Sequence, residues 1–303
     1  MSESLKLCDL GYRFDHNGEL RRISDNSRFI FTTQSDYEKL GNVMTNELYS
    51  ILENRYGLSR FDVFVDVRDK HNILHKYRSF VYASTNFCMK STVLLIIHGS
   101  GAVRPGQWSR RLILNESLDV GSQIPYIQRA LSNDWGVVLC NTNTDENFDD
   151  YSPQHLRAVH DQLLGDPSIQ QIFVVAHSRG GPDFANAYCH FKSDDRIAVV
   201  CLTDSTHFEI PLRSSNESEV AGPVFINWRA QKDFESTDLL RNDVLTMFSR
   251  VHQIYAGTTE HERSSYSAFD SIFYVLENWK NSKDFSKLLG AAAAMILAKD
   301  GEV

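Results

Sequence analysis

The stretch 171-QIFVVAHSRGG-181 decides how the rest of the chain is read. An apolar run of strand character stops at Ser178, which sits between small residues. It is followed at once by 182-PDFANAYCHF-191, which reads as a helix. Strand, sharp turn, helix is the context of a nucleophile elbow, where a serine is presented at the end of a buried strand. The tight turn needs small neighbours. Ala176, Gly180 and Gly181 supply them, with alanine in the place of the usual first glycine.

Outward from this stretch the same grammar repeats. The continuous apolar runs 92-TVLLIIHG-99, 136-GVVLCN-141 and 197-IAVVCLTD-204 read as strands buried on both faces. Further strands are expected at 61-FDVFVDV-67, 223-PVFINW-228 and 251-VHQIYAG-257. Helices are expected between them at about 120–133, 152–164, 181–192, 238–249 and 265–280. The pattern predicts an α/β fold, specifically an α/β-hydrolase-like, mostly parallel central sheet with helices on both faces. Upstream, "HNGE" within 10-LGYRFDHNGELR-21 marks a turn between two short strands. The stretch 36-DYEKLGNVMTNELYSILENRYG-57 has apolar residues at helical spacing and a glycine stop. We expect one domain over 1–303: an N-terminal segment over 1–58, the hydrolase-like core over 59–281 and an extra C-terminal helix over 282–303.

The chain has 303 residues and a formal charge of -8, so sequence-independent attraction to a nucleic-acid backbone is not expected. Its five cysteines are scattered and match neither a disulfide framework nor a zinc site. The polar first thirty residues hold no apolar signal core, and no run approaches the length of a membrane span. The expected location is nuclear and/or cytoplasmic, not secreted. Phosphate-loop, HExxH and dinucleotide-loop motifs do not occur. No cofactor and no metal is called for.

Three pieces fall at strand ends. Ser178 is the candidate nucleophile. The turn 98-HGSGAVRPGQW-108 supplies glycine-lined backbone for an oxyanion hole, with Gly99 or Ser100 giving one N–H and Arg179 the other. His261, in 256-AGTTEHERSSYSAF-269, stands where a general base belongs in the chain order serine, acid, histidine. Asp233 is the favoured acid, a few residues beyond its strand. Asp204, at the end of 197-IAVVCLTD-204, is the alternative. Arg104, Arg110 and Arg111 lie just after the oxyanion turn. They could line the pocket mouth and bind an anion, since a guanidinium fork matches carboxylate and phosphate.

Together LGYRFDHNGELR, HGSGAVRPGQWSRRLILNESLDVGSQIPYI, NTN, VVAHSRGG, LTDSTH and AGTTEHE give the chain a resemblance to the Argonaute-binding-protein-two (Arb-two) domain family, from about residue 9 to 280. The resemblance implies an α/β-hydrolase-like domain. It also implies work in nuclear small-RNA silencing, chromatin or co-transcriptional regulation through Argonaute-pathway or chromatin-silencing protein partners. A related domain ends some class II histone deacetylases. The family's serine falls on Ser178, its HGSG turn on His98 to Gly101 and its late histidine on His261. The chain departs at Arg179, where an aromatic residue is expected. An active serine hydrolase of esterase, thioesterase or amidase type, on an unknown substrate with an anionic one among the options, is the alternative reading.

Overall fold

A computed structural model describes residues 5–191, 194–205, 223–231, 251–282 and 284–300. A short hairpin, β1 (Tyr12–Phe14) and β2 (Leu20–Arg22), opens the chain around the HNGE turn. The long helix α1 (Gln34–Tyr56) follows. Thr33 Oγ1 caps its start by accepting from Asp36 N–H at 3.1 Å, and Gly57 ends it in the left-handed region at φ 66°.

The central sheet has eight strands in the order β10-β9-β8-β7-β5-β6-β4-β3. They are β3 (Leu58–Arg68), β4 (Leu74–Ser84), β5 (Thr92–Ile97), β6 (Gly136–Cys140), β7 (Gln171–His177), β8 (Ile197–Thr203), β9 (Val224–Arg229) and β10 (Val251–Tyr255). β4 runs antiparallel to both its neighbours, and the pairs from β6 to β10 are all parallel. The chain moves from β5 outward to β6, then returns past β5 to β7 before continuing to β10. The connections therefore diverge at the carboxyl ends of β5 and β7, which opens a crevice there.

Buried strands explain the continuous apolar runs. In β5, Leu94 and Ile96 belong to one hydrophobic layer, while Val93, Leu95 and Ile97 belong to the other. β7 divides likewise, with Phe173 and Val175 on the first face and Ile172, Val174 and Ala176 on the second. Leu40, Val43, Met44, Leu48 and Leu52 of α1 join the first layer. So do α4 (Ile124–Ser132), through Ile127 and Ala130, and α8 (Phe269–Asn278), through Ile272 and Phe273. The C-terminal α9 (Phe285–Asp300) packs on the same face through Leu288, Leu289, Ala292 and Ala293. The second layer is covered by α5 (Tyr151–Leu163) and α6 (Gly180–Tyr188).

Three short α-helices, α2 (Arg110–Asn115), α3 (Leu118–Gly121) and α7 (Ser264–Ser267), and three 3₁₀ turns at Leu7–Leu10, Phe87–Met89 and His261–Arg263 complete the described elements. The expected helix over 265–280 is thus divided between α7 and α8. The expected helix at 238–249 lies outside the described residues.

Candidate active site

The serine sits where the turn compels it. Ser178 has φ 52°, a left-handed conformation that costs a non-glycine residue on the order of 1 kcal/mol or more. Three contacts hold it. Its N–H donates to Thr203 O at 3.0 Å, Gly181 N–H donates to its carbonyl at 3.1 Å, and Ser205 Oγ donates to the same carbonyl. The glycines are space requirements rather than decoration. A Cβ on Gly180 would meet His98 O at 2.8 Å, and one on Gly181 would overlap Ser205 Oγ.

The next strand ends in the same way. Asp204, immediately after β8, has φ 45°. Its N–H donates to Trp228 O at 2.7 Å, and its Oδ1 accepts from Ala230 N–H at 3.0 Å. The other oxygen, Oδ2, lies 2.5 Å from His261 Nδ1, and His261 Nε2 lies 2.9 Å from Ser178 Oγ. A carboxylate only accepts, so Nδ1 carries the proton and Nε2 is left to accept from the hydroxyl. Serine, imidazole and carboxylate form one directed chain of hydrogen bonds. Asp233 lies outside the described residues.

The electrostatics follow from these contacts. The bond to Asp204 raises the His261 pKa above its ordinary 6.5, against the opposing effect of burial. Burial would raise the Asp204 carboxyl, but hydrogen bonds from His261 and Ala230 outweigh it and hold the carboxyl below its usual value. His177 packs beside His261 with its ring tilted and the ring centroids 4.9 Å apart. Burial pushes its pKa down to about 3, so it stays neutral. Its Nδ1 donates to Thr203 O at 3.0 Å. A neutral neighbour lets His261 take up a proton without meeting a second charge.

The turn after β5 closes over the serine. A Cβ on Gly99 would lie 3.2 Å from Ser178 Cβ, so only glycine gives this approach without displacement. His98 Nδ1 and Asn143 Nδ2 both donate to Gly99 O, at 2.8 and 3.0 Å, and Asn143 also holds Val103 O at 3.1 Å. In a trans peptide the N–H opposes the C=O, so fixing the Gly99 carbonyl fixes the direction of Ser100 N–H. The N–H groups of Gly99, Ser100 and Arg179 have no acceptor among the described residues. Asn143 positions the turn over the serine, and the sequence reading gave it no role at the site. Its signal was the NTN triplet directly after a buried strand.

His261 stands on a loop secured from a distance. Glu262 accepts from Arg111 Nε at 2.6 Å and Ser109 Oγ at 2.9 Å. Arg263 Nη2 reaches Glu116 at 2.5 Å, and its Nε reaches Glu260 at 2.8 Å. Tyr126 Oη donates to Ser265 O at 2.6 Å. The block over 104–127 thereby fastens the histidine loop.

The arginines sort into two kinds. Arg104 pairs with Asp145 at 2.6 Å, Arg111 with Glu262, and Arg179 turns outward to Asp183 at 3.0 Å. Arg110 has no carboxylate partner among the described residues; its Nη2 donates to Ala102 O at 3.0 Å and Asn42 Oδ1 at 3.3 Å. A pocket of about 270 Å³ lies over the serine, lined in part by Trp108, Ser100, Arg110, Ser178 and His261.

Comparison with known proteins agrees with this architecture. The Arb2 domain model matches residues 4–150. A FAM172 family protein homolog of Caenorhabditis elegans is 38% identical over 97% of this chain and 94% of its own length. The human protein named cotranscriptional regulator ARB2A is 28% identical over 86% of this chain and 77% of its own. Among solved structures, the histone deacetylase Clr3 shares the fold at a TM-score of 0.53 and 15% identity. That match spans 78% of this chain and 38% of the Clr3 chain. The chain belongs to the Arb2-domain (FAM172) family.

Proposed function

We propose that this protein is a serine hydrolase acting on an ester, thioester or amide, with Ser178 as nucleophile, His261 as general base and Asp204 as the acid that orients it. The observation that carries the reading is the unbroken contact from Ser178 Oγ to His261 Nε2 at 2.9 Å and from His261 Nδ1 to Asp204 at 2.5 Å. Separate strand ends and a distant loop have to be placed together for it to form.

The steps follow from these positions. Ser178 Oγ attacks the carbonyl carbon as its proton passes to His261 Nε2. The carbonyl electron pair moves onto oxygen, facing the N–H of Arg179 and that of Gly99 or Ser100. Collapse restores the carbonyl and expels the alcohol, thiol or amine, which takes the proton from His261. Water then attacks the acyl-serine and gives a proton to His261. The acid leaves, and Ser178 recovers its hydrogen. Asp204 holds Nδ1 throughout and favours the imidazolium between proton transfers.

The biological setting we assign is nuclear: co-transcriptional or chromatin regulation and small-RNA silencing through Argonaute-pathway or chromatin-silencing proteins. It is supported by the relatives named cotranscriptional regulators, and the hydrolase site would work within such an assembly. Hydrolysis of p-nitrophenyl butyrate by the purified chain tests the chemistry. Release of p-nitrophenol that disappears in Ser178→Ala supports the reading. Equal release by both proteins contradicts it.

A further inference from the structure

Arg110 is the one member of the arginine group at the pocket whose charge the described residues leave unmatched. The residue is only 9% exposed, yet its guanidinium makes hydrogen bonds through Nη2 alone, to neutral oxygens of Ala102 and Asn42. Its Nε is buried without a partner. Burial lowers its pKa, opposed by the nearby Tyr37, Glu38 and Asp145. A largely buried guanidinium with spare donors is costly unless an anion completes it.

The position is also constructed. Gly41, in the body of α1, lies under the guanidinium: a Cβ there would fall 2.5 Å from Arg110 Cδ and 2.8 Å from Nη1. A glycine inside a helix is destabilising relative to alanine, and here it makes room for one arginine. Arg110 and Ala102 form the partition between the serine pocket and a neighbouring groove of about 770 Å³ against α1. Of the acidic groups of that groove, Asp145 is ion-paired with Arg104 at 2.6 Å, and Glu38 accepts from the neutral amide of Gln34 at 2.8 Å without a salt bridge to Arg110.

We propose that Arg110 is a specificity residue and that the substrate is an ester, thioester or amide bearing one carboxylate, seated on Arg110 while its scissile carbonyl lies at Ser178. This rests on the hydrolase reading above. Charge balance selects the carboxylate. One unpaired guanidinium neutralises a single negative charge, whereas a phosphate dianion would need a second cation, and Arg104, Arg111 and Arg179 are each committed to a carboxylate. A 270 Å³ pocket suits a short acyl chain rather than a lipid.

The test compares mono-p-nitrophenyl esters of glutaric and adipic acid with the uncharged p-nitrophenyl esters of matched chain length, using Ser178→Ala as the blank. Wild type should prefer at least one carboxylate ester in kcat/KM by about tenfold or more, the worth of one charged hydrogen-bonding contact. Arg110→Met should lower that preference at least about tenfold. Gly41→Ala, a substitution that suits a helix but displaces the guanidinium, should lower it in the same direction. Arg110→Lys should keep part of it. Uncharged esters preferred throughout by wild type, or a preference unchanged in either Arg110→Met or Gly41→Ala, overturns the assignment while Ser178-dependent release stands. No Ser178-dependent release from any ester overturns the hydrolase reading and this inference with it.

Discussion

Ser178 and His261 reach each other from scaffolds held by different forces. The serine turn is an interior object. Its backbone bonds to Thr203 O, Gly180 has no room for a side chain, and the strand beneath it is wholly buried. The histidine loop is a surface object, with the His261 side chain 50% exposed. It is fastened by ion pairs from Glu262 to Arg111 and from Arg263 to Glu116, which themselves meet water. Asp204 belongs to the first kind by its strand-end backbone and to the second by its bond to His261. Packing and backbone hydrogen bonds hold no net charge for salt to screen, whereas exposed ion pairs are screened by it. The buried half of the site holds Ser178, and the salt-sensitive half holds His261.

That contrast can be broken at graded points. The largest effect is expected from Ser178→Ala. On a good substrate kcat should fall on the order of 10⁶-fold, read in initial rates. Asp204→Asn keeps the shape of the turn but loses the carboxylate that fixes the His261 tautomer, and should cost on the order of 10⁴-fold. The pH profile sharpens this second point. His261 must be neutral to act as a base, and the Asp204 bond raises its pKa above 6.5. Activity should therefore be lost as pH falls through a midpoint above 6.5 in the wild type, and that midpoint should move downward in Asp204→Asn. Gly180→Ala places a Cβ 2.8 Å from His98 O, and thermal unfolding should show a loss of about 1–3 kcal/mol. The smallest effect belongs to the outer clamp. Glu262→Gln should cost less than about 1 kcal/mol, and the difference from wild type should shrink in high salt.

The legible parts of the molecule were those where local pattern and tertiary role coincide. Buried parallel strands must be apolar on both faces, so β5, β6, β7 and β8 announce themselves. β4 did not, because Leu74 to Arg78 are largely exposed and Lys76 and Arg78 break the apolar run. Only its second half enters the core. Ser178, His261 and the HGSG turn were found because each follows a strand and contains a residue the chemistry needs.

The acid was harder. Asp233 and Asp204 both follow strands, and the Asp204 contact with His261 spans 57 residues of sequence, which no local pattern encodes. Asp204 makes that contact, and Asp233 lies outside the described residues. The three pocket arginines looked equivalent in sequence. Their partners separate them, since Asp145 and Glu262 come from distant segments.

The most direct measurement is labelling of the purified chain with a fluorophosphonate probe, with the modified residue located by mass spectrometry. Wild type should be labelled on Ser178, Ser178→Ala and His261→Ala should not be labelled, and Asp204→Asn should be labelled far more slowly. A folded wild type that takes no label, or label that survives loss of His261, would contradict an activated serine at the end of β7.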